Sequence, residues 1–499
     1  MKFNLLSLCI VVSLTLAPSQ LATARQSPNL KEQSNSSKKH PLRCASQSRA
    51  ADAVISRAKA RWAKGDIKAA TKLLSELIRQ QPTNELAYFW RAICRSDLGD
   101  SKGAFEDNNM AIRLAPSHFG AYYNRAFELS KVNNDKAAVA DYTKAIELKP
   151  KLRDGYYNRG WSREAIGDRS GAIADYTQAI KLDCKFANAY WRRGDIFVAC
   201  NNKEKAMADY NRMVALYPKN AWSYAYRGYG MAQFCNDKAA VQDLTTAIEL
   251  GLVDSICYSN RANSRAILKD LNGAVADYTQ VLLIEPRNVE ACGRRGELRR
   301  KLGDKANALA DFNWAIVTDP YCAAAYGGRG MLKSEAGDRR GAIAEYTKGI
   351  SADPQSALCY ADRAYEKMRL GEYRSALVDF EQVVRLRPDR PSSYFSRGFC
   401  RHYMGDRIAA LKDYDRSLDM GFKNGLSFYS RAVCRSELGD SKGAALDFRE
   451  ACRLDPEYAK KKLPGPVKVG FAATIEEITK ALESAIGEIR KTLTHVMQH

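Results

Sequence analysis

At 499 residues, with 45% hydrophobic and 27% charged side chains, the chain has enough apolar material to bury a core and is not a disordered polymer. Lysine and arginine outnumber aspartate and glutamate by 78 − 57 = 21, a balance that favours acidic partners over basic ones. No apolar run reaches the roughly 20 residues that a membrane-spanning helix needs, so a bundle of transmembrane helices is excluded.

The first 24 residues read as an export signal. Lys2 precedes an apolar run from Leu5 to Ala17, and Ala22-Thr23-Ala24 supplies the small residues of a cleavage site. The chain is therefore expected to be exported, either periplasmic or secreted. Residues 25–50 are rich in Gln, Ser, Asn and Lys, and they are expected to form a disordered basic leader. Loss of Cys9 with the signal would leave twelve cysteines. Cys94, Cys400 and Cys434 share one place in the pattern below, and Cys257 and Cys359 another, as small buried residues do. Free thiols are expected rather than bridges, and no Cys-x-x-Cys pair points to zinc.

From residue 51 to 458 the chain is periodic. Arginine stands at 57, 91, 125, 159, 193, 227, 261, 295, 329, 363, 397 and 431, always 34 residues apart, which defines twelve repeats. Counted from residue 51, the eighth position is always Gly or Ala and the twentieth always Ala. Such small residues let helices approach closely. The fourth position is Tyr in nine repeats, and the twenty-fourth is usually Tyr or Phe, so rings are expected to fill the space beside them. Gly-Asp between the two helical stretches, as in Gly99-Asp100 and Gly337-Asp338, can close one helix and cap the next. Pro116, Pro150 and Pro286 stop the second helix before the following repeat, whereas Leu252 and Phe422, following Gly251 and Gly421, stand where that proline is usual.

This pattern resembles the tetratricopeptide repeat family, and the resemblance covers about four fifths of the chain. It implies an all-α fold, a right-handed superhelical α-solenoid of helix-turn-helix repeats, in which the first helices line an inner surface that takes peptides or partner helices. Repeat 1, with no aromatic at either usual place, looks like a cap. An acid occupies the twenty-third position of eleven repeats, from Asp107 through Glu345 to Asp447. In the family's geometry that position and the repeated arginine lie on the two helices of one repeat, which implies a ladder of pairs such as Arg125 with Asp141. The competing reading makes the arginines an anion-binding stripe. The family's clamp for chaperone C-termini is not matched, because Arg294 stands where its second Asn should be.

Beyond the repeats, residues 459–499 read as a linker and a C-terminal capping helix, with Ile475, Ile478, Leu482, Ile486, Ile489 and Leu493 at helical spacing. Little points to catalysis. His118 and His402 are the only histidines between the tails, and no nucleotide-binding loop or metal-ligand motif occurs. No enzymatic activity, cofactor or metal is expected.

The expected role is a scaffold binding a protein or peptide along the inner groove, with an acidic partner favoured by charge. The groove positions carry Phe89, Trp90, Tyr123, Asn124, Tyr157, Asn158, Trp161, Trp191, Arg192, Tyr226, Tyr229 and Asn260 in repeats 2 to 7. Among these, Phe89, Tyr123, Asn124, Tyr157, Asn158, Trp161, Trp191, Arg192, Tyr226 and Tyr229 are the candidate partner-binding residues. Farther on, Gly293, Gly327 and Ala361 at the fifth position suggest a smooth wall. The alternative is a polyanion binder, nucleic acid or acidic polysaccharide, using Arg294, Arg295, Arg299, Arg300 and Lys301. Export disfavours nucleic acid. If the signal reading holds, intact-mass measurement of the exported protein should place Arg25 at its N-terminus; retention of Met1 would refute it.

Overall fold

The computed structural model describes residues 43–461 and 463. The expected signal, residues 25–42 of the leader and the C-terminal helix lie outside the described residues. Twenty-four α-helices and one 3-10 turn at Pro456–Lys460 account for the regular structure among those described. Two helices form each repeat, for example Glu85–Asp97 and Ser101–Leu114 in repeat 2. The leader is shorter than expected: the first helix of repeat 1 starts at Arg43 and runs to Ala63, so residues 43–50 are helical. No Gly or Pro interrupts the sequence between Arg43 and Ala63, and nothing there stops a helix from extending backwards.

The chain divides at Leu252 and Val253 into two bodies, repeats 1 to 6 and repeats 7 to 12. Inside each body the second helix of a repeat packs on the first helix of the next, and successive first helices touch. Each body is thus an all-α solenoid with a continuous core.

That core follows the period. The twentieth-position alanines, from Ala70 to Ala444, are almost fully buried, and Tyr142, Tyr176, Tyr210, Tyr346 and Tyr414 fill the twenty-fourth position. The eighth position must be small for this to fit. A Cβ on Gly330 would lie 2.6 Å from the Tyr346 ring, well inside van der Waals contact. Repeat 1 substitutes Leu74 for the ring and packs it with Ile55, Ala58 and Leu77. The eleven cysteines from Cys94 to Cys452 are free thiols. Burial pushes Cys94, Cys292 and Cys359 up to about 11, and Cys400 and Cys434 to about 12, so these stay protonated at neutral pH.

Turns between the paired helices need one left-handed residue. Gly supplies it in most repeats, as at Gly99 with φ +82°. Where Gly is missing, Asn133, Asn201, Cys235 and Lys269 adopt the same conformation with φ between 54° and 67°. The next residue caps the second helix: Asp100 Oδ1 accepts from the Gly103 amide at 2.9 Å, and Asp168 and Asp440 act alike.

The arginine ladder is present in all eleven repeats that carry the acid. Arg91 Nε and Nη2 donate to both oxygens of Asp107 at 2.8 and 2.7 Å, and Arg261 grips Asp277 at 3.0 and 2.6 Å. Glu345, one methylene longer, receives both bonds from Arg329 on a single oxygen. The third nitrogen often reaches back one repeat, as Arg159 Nη1 does to Thr143 and Arg193 Nη1 to Thr177. A tyrosine at the fourth position places its ring under the same guanidinium, 5.6 Å from Arg91 in the case of Tyr88. Arg57 of repeat 1, facing Leu73 in place of an acid, is exposed.

A second cation joins most rungs. Arg95, Arg163, Arg265, Arg299, Lys333, Lys367, Arg401 and Arg435 reach the same carboxylate from the eleventh position, Arg299 to Asp311 at 2.7 Å. Asp277 keeps only 3% side-chain exposure between Arg261 and Arg265. Asp277→Ala would leave two cations without their anion and should cost about 3 kcal/mol or more in thermal or urea unfolding. Glu450→Ala, which breaks the solvent-exposed pair with Arg453, should leave the midpoint unchanged. Equal effects would mean that the rungs do not hold the repeats.

Candidate interaction surface

The groove residues divide into two kinds. Phe89, Tyr123, Tyr157 and Asn158 are buried, each at most 5% exposed, and belong to the core rather than to an open wall. The fifth-position rings turn toward their own second helix: Tyr123 meets Tyr142 edge-on at 5.5 Å, and Tyr157 meets Tyr176 at 5.6 Å. Asn158 Nδ2 donates to Tyr123 Oη at 2.7 Å, which ties repeat 4 to repeat 3 from inside. Asn124, Trp161, Trp191, Arg192, Tyr226 and Tyr229 are half-buried and keep a face or an edge at the surface.

These residues come together in repeats 4 to 6. The Arg192 guanidinium lies 4.1 Å from the Trp161 ring and 5.4 Å from that of Trp191. Trp191 stacks on Tyr226 with centroids 4.4 Å apart and an 18° interplanar angle. Tyr226 in turn stacks on Trp222 at 5.5 Å, and its edge meets Tyr229 at 6.2 Å. Three consecutive first helices thus contribute a single row, Trp161, Arg192, Trp191, Tyr226 and Trp222. Asn124 lies outside it, one repeat earlier.

Acids and phenols set the charge beneath the row. Glu164 pairs with Arg192 at 2.9 Å and accepts from Tyr176 Oη at 3.0 Å. Burial opposes the Arg192 charge, but Glu164, with Tyr176 and Tyr157, holds its pKa above the ordinary value. Asp195 accepts from Tyr210 Oη at 2.6 Å. Its burial raises the carboxyl to about 6, against the pull of Arg192 and Tyr210. Sequence reasoning missed Trp222, although it occupies the second position, already counted among the groove places. It also missed Glu164 and Asp195, whose role depends on the ring that happens to cover them.

The basic cluster proposed for polyanions is largely neutralised. Arg295 and Arg299 share Asp311, and Arg300 holds Glu297 and Glu335. Lys301 lies 3.8 Å from Glu297, and Arg294, though 59% exposed, lies 3.7 Å from Glu290.

The raised Asp195 carboxyl has a defined consequence. Below about pH 4 it is protonated in both folded and unfolded chains; between about 4 and 6 the unfolded chain releases the proton more readily. The folded state therefore loses stability as pH rises through that window, on the order of 2–3 kcal/mol, and no more above it. The wild-type stability measured relative to Asp195→Asn should fall between pH 4 and 6 and then level off. A flat difference would show an ordinary carboxyl.

Residues 55–119 and 157–221 match one tetratricopeptide repeat model, and residues 119–152 match a second. No curated protein matches in a sequence comparison. Among solved structures, yeast Tom70 is similar at 16% identity and TM-score 0.40, over 83% of this chain and 99% of its own. The anaphase-promoting-complex assembly Cut9-Hcn1 is similar at 12% identity and TM-score 0.40, over 81% and 94%. YrrB, a tetratricopeptide protein, aligns at 22% identity and TM-score 0.33, over 37% and 95%. The matched stretches carry the same 34-residue grid, small residues and arginine rungs that continue to residue 458, and the chain is a tetratricopeptide repeat protein.

Proposed function

We propose that the chain is a non-enzymatic interaction scaffold that receives a protein or peptide on the row Trp161, Arg192, Trp191, Tyr226 and Trp222. The observation that supports this reading is that five large side chains stack on one another while each keeps part of its surface exposed. Ring stacking and the Arg192–Glu164 pair fix their rotamers in advance, so little side-chain entropy remains to be lost when a partner covers them. Half-buried Trp, Tyr and Arg are also the residues most often found to carry binding energy. The partner's apolar side chains would lie against the ring edges, with Asn124 and Tyr229 at the flanks. The overall excess of cations favours a partner with acidic residues nearby. On the reading of residues 1–24 as an export signal, we propose that this activity is periplasmic or extracellular.

The polyanion reading draws little support from residues 294–301, because most of those cations already face carboxylates. Among the described residues no helix is long and apolar enough to cross a membrane.

Trp161→Ala and Trp191→Ala should each weaken capture of the partner by about 1–3 kcal/mol while the helical circular dichroism and unfolding midpoint stay near wild type. Co-purification of the mature chain with its partner, repeated with each variant, supplies the measurement. Full capture by both variants would move the binding surface elsewhere. A large fall in midpoint would make the row part of the core.

A further inference from the structure

We propose that the second body docks on an anionic lipid surface through the faces of two second helices, those of repeats 7 and 8, that are turned away from the core. These helices span Leu271–Ile284 and Lys305–Thr318. Their twenty-ninth positions hold Leu283 and Val317, which are 69% and 82% exposed. Eight of the other ten repeats carry an ion at that place, such as Arg79, Glu147, Lys181 and Arg453. An ion is what a helix face turned to water keeps, and two consecutive repeats have replaced it with an aliphatic side chain.

The apolar surface extends around these two residues. Trp314 precedes Val317 by about one helical turn and is 36% exposed, and no other repeat has an aromatic residue at its place. Ile284 follows Leu283, and Tyr321, just past the end of its helix, is 76% exposed. Val281 and Ala315, on the opposite sides of the two helices, are fully buried, so the helices cannot rotate to hide the exposed residues without unpacking the core. Apolar side chains grouped in this way mark a surface that something covers.

Charge selects what covers it. The acids within the second helices of repeats 7, 8 and 9 are Asp277, Asp311 and Glu345, and all three are buried in their rungs. The fully exposed ions of the same helices are cations: Lys305, and in repeat 9 Arg340 and Lys348. Acids at the helix ends are engaged in the turns. Asp304 and Asp338 cap the helices of repeats 8 and 9, Glu285 accepts from Asn288 at 2.8 Å, and Asp319 accepts from the Tyr321 amide at 2.9 Å. A second copy of the chain would bring the same cations against this face, whereas an anionic bilayer meets them with the opposite charge.

The residue types fit that occupant. Leu283, Ile284 and Val317 can enter the boundary between headgroups and acyl chains, and Trp314 and Tyr321 join an apolar ring to a polar tip, as residues at membrane interfaces do. Lys305, Arg340 and Lys348 then face the lipid phosphates, and each adds to the attraction. No described helix is long and apolar enough to cross a membrane, and the contact is a peripheral one. This face lies in a different body from the row in repeats 4 to 6, and its docking does not depend on what that row binds.

The test uses the chain from Arg25 onward, because the apolar run of residues 5–17 would itself enter lipid. It should co-sediment with vesicles of phosphatidylglycerol and phosphatidylcholine, far less with phosphatidylcholine alone, and less as salt is added. Leu283→Ser combined with Val317→Ser should lower affinity for the mixed vesicles roughly tenfold or more, with the unfolding midpoint unchanged because both side chains are exposed. Arg340→Gln combined with Lys348→Gln should lower it roughly tenfold on the mixed vesicles. The mixed vesicles should also shift tryptophan emission to the blue, and Trp314→Phe should remove that shift. No binding to the mixed vesicles, equal binding to phosphatidylcholine alone, unchanged binding by the serine pair, or a lipid-free dimer that the serine pair dissolves would overturn the proposal.

Discussion

A guanidinium held by a carboxylate across two helices, repeated every 34 residues, is the constraint on which the rest of the structure depends. Each first helix must turn its seventh position toward the twenty-third position of its partner, and this sets the rotation of both. The small eighth position and the ring at the twenty-fourth then meet in only one way. Because many of the arginines also bond a side chain of the preceding repeat, the same group aligns neighbours as well as partners. Desolvating so many ions is costly, and the geometry offsets it by giving nearly every donor an acceptor.

Once the ladder fixes each helix, the fifth and sixth positions decide what the remaining face can do. A ring at the fifth position that reaches its own second helix disappears into the core, as Tyr123 and Tyr157 do. Trp191 instead stacks on Tyr226 of the next repeat and stays near the surface, so repeats 4 to 6 display a row where repeats 2 and 3 display little. Ala361 leaves the place empty and opens a cavity. One position thus yields three surfaces.

The period, the helix pairs, the turns and the ladder were legible because each rests on a residue repeated at fixed spacing. Arg125 with Asp141 could be named in advance because both places recur in eleven repeats. The second cation was harder to see, since Lys and Arg alternate at the eleventh position and Leu129, Phe197 and Met231 interrupt it. The site was legible only in part. Spacing identifies Trp161, Trp191 and Tyr226 as groove residues, but whether a ring faces solvent or core depends on its rotamer and on neighbours one repeat away. The same limit explains why Phe89, Tyr123, Tyr157 and Asn158 were expected on the surface and are found inside. Residues 43–50 looked like leader because their composition is polar, yet polar composition does not stop a helix that lacks Gly and Pro.

The uneven distribution of the second cation separates the two bodies chemically. Leu129, Phe197 and Met231 leave repeats 3, 5 and 6 with one positive charge on each shared acid, whereas every repeat from 7 to 12 places at least two there. Deleting one such carboxylate in the second body therefore sets two cations against each other, while in repeats 3, 5 and 6 it frees only one, so the second body is the half in which the loss of a single acid by mutation disturbs the stack most.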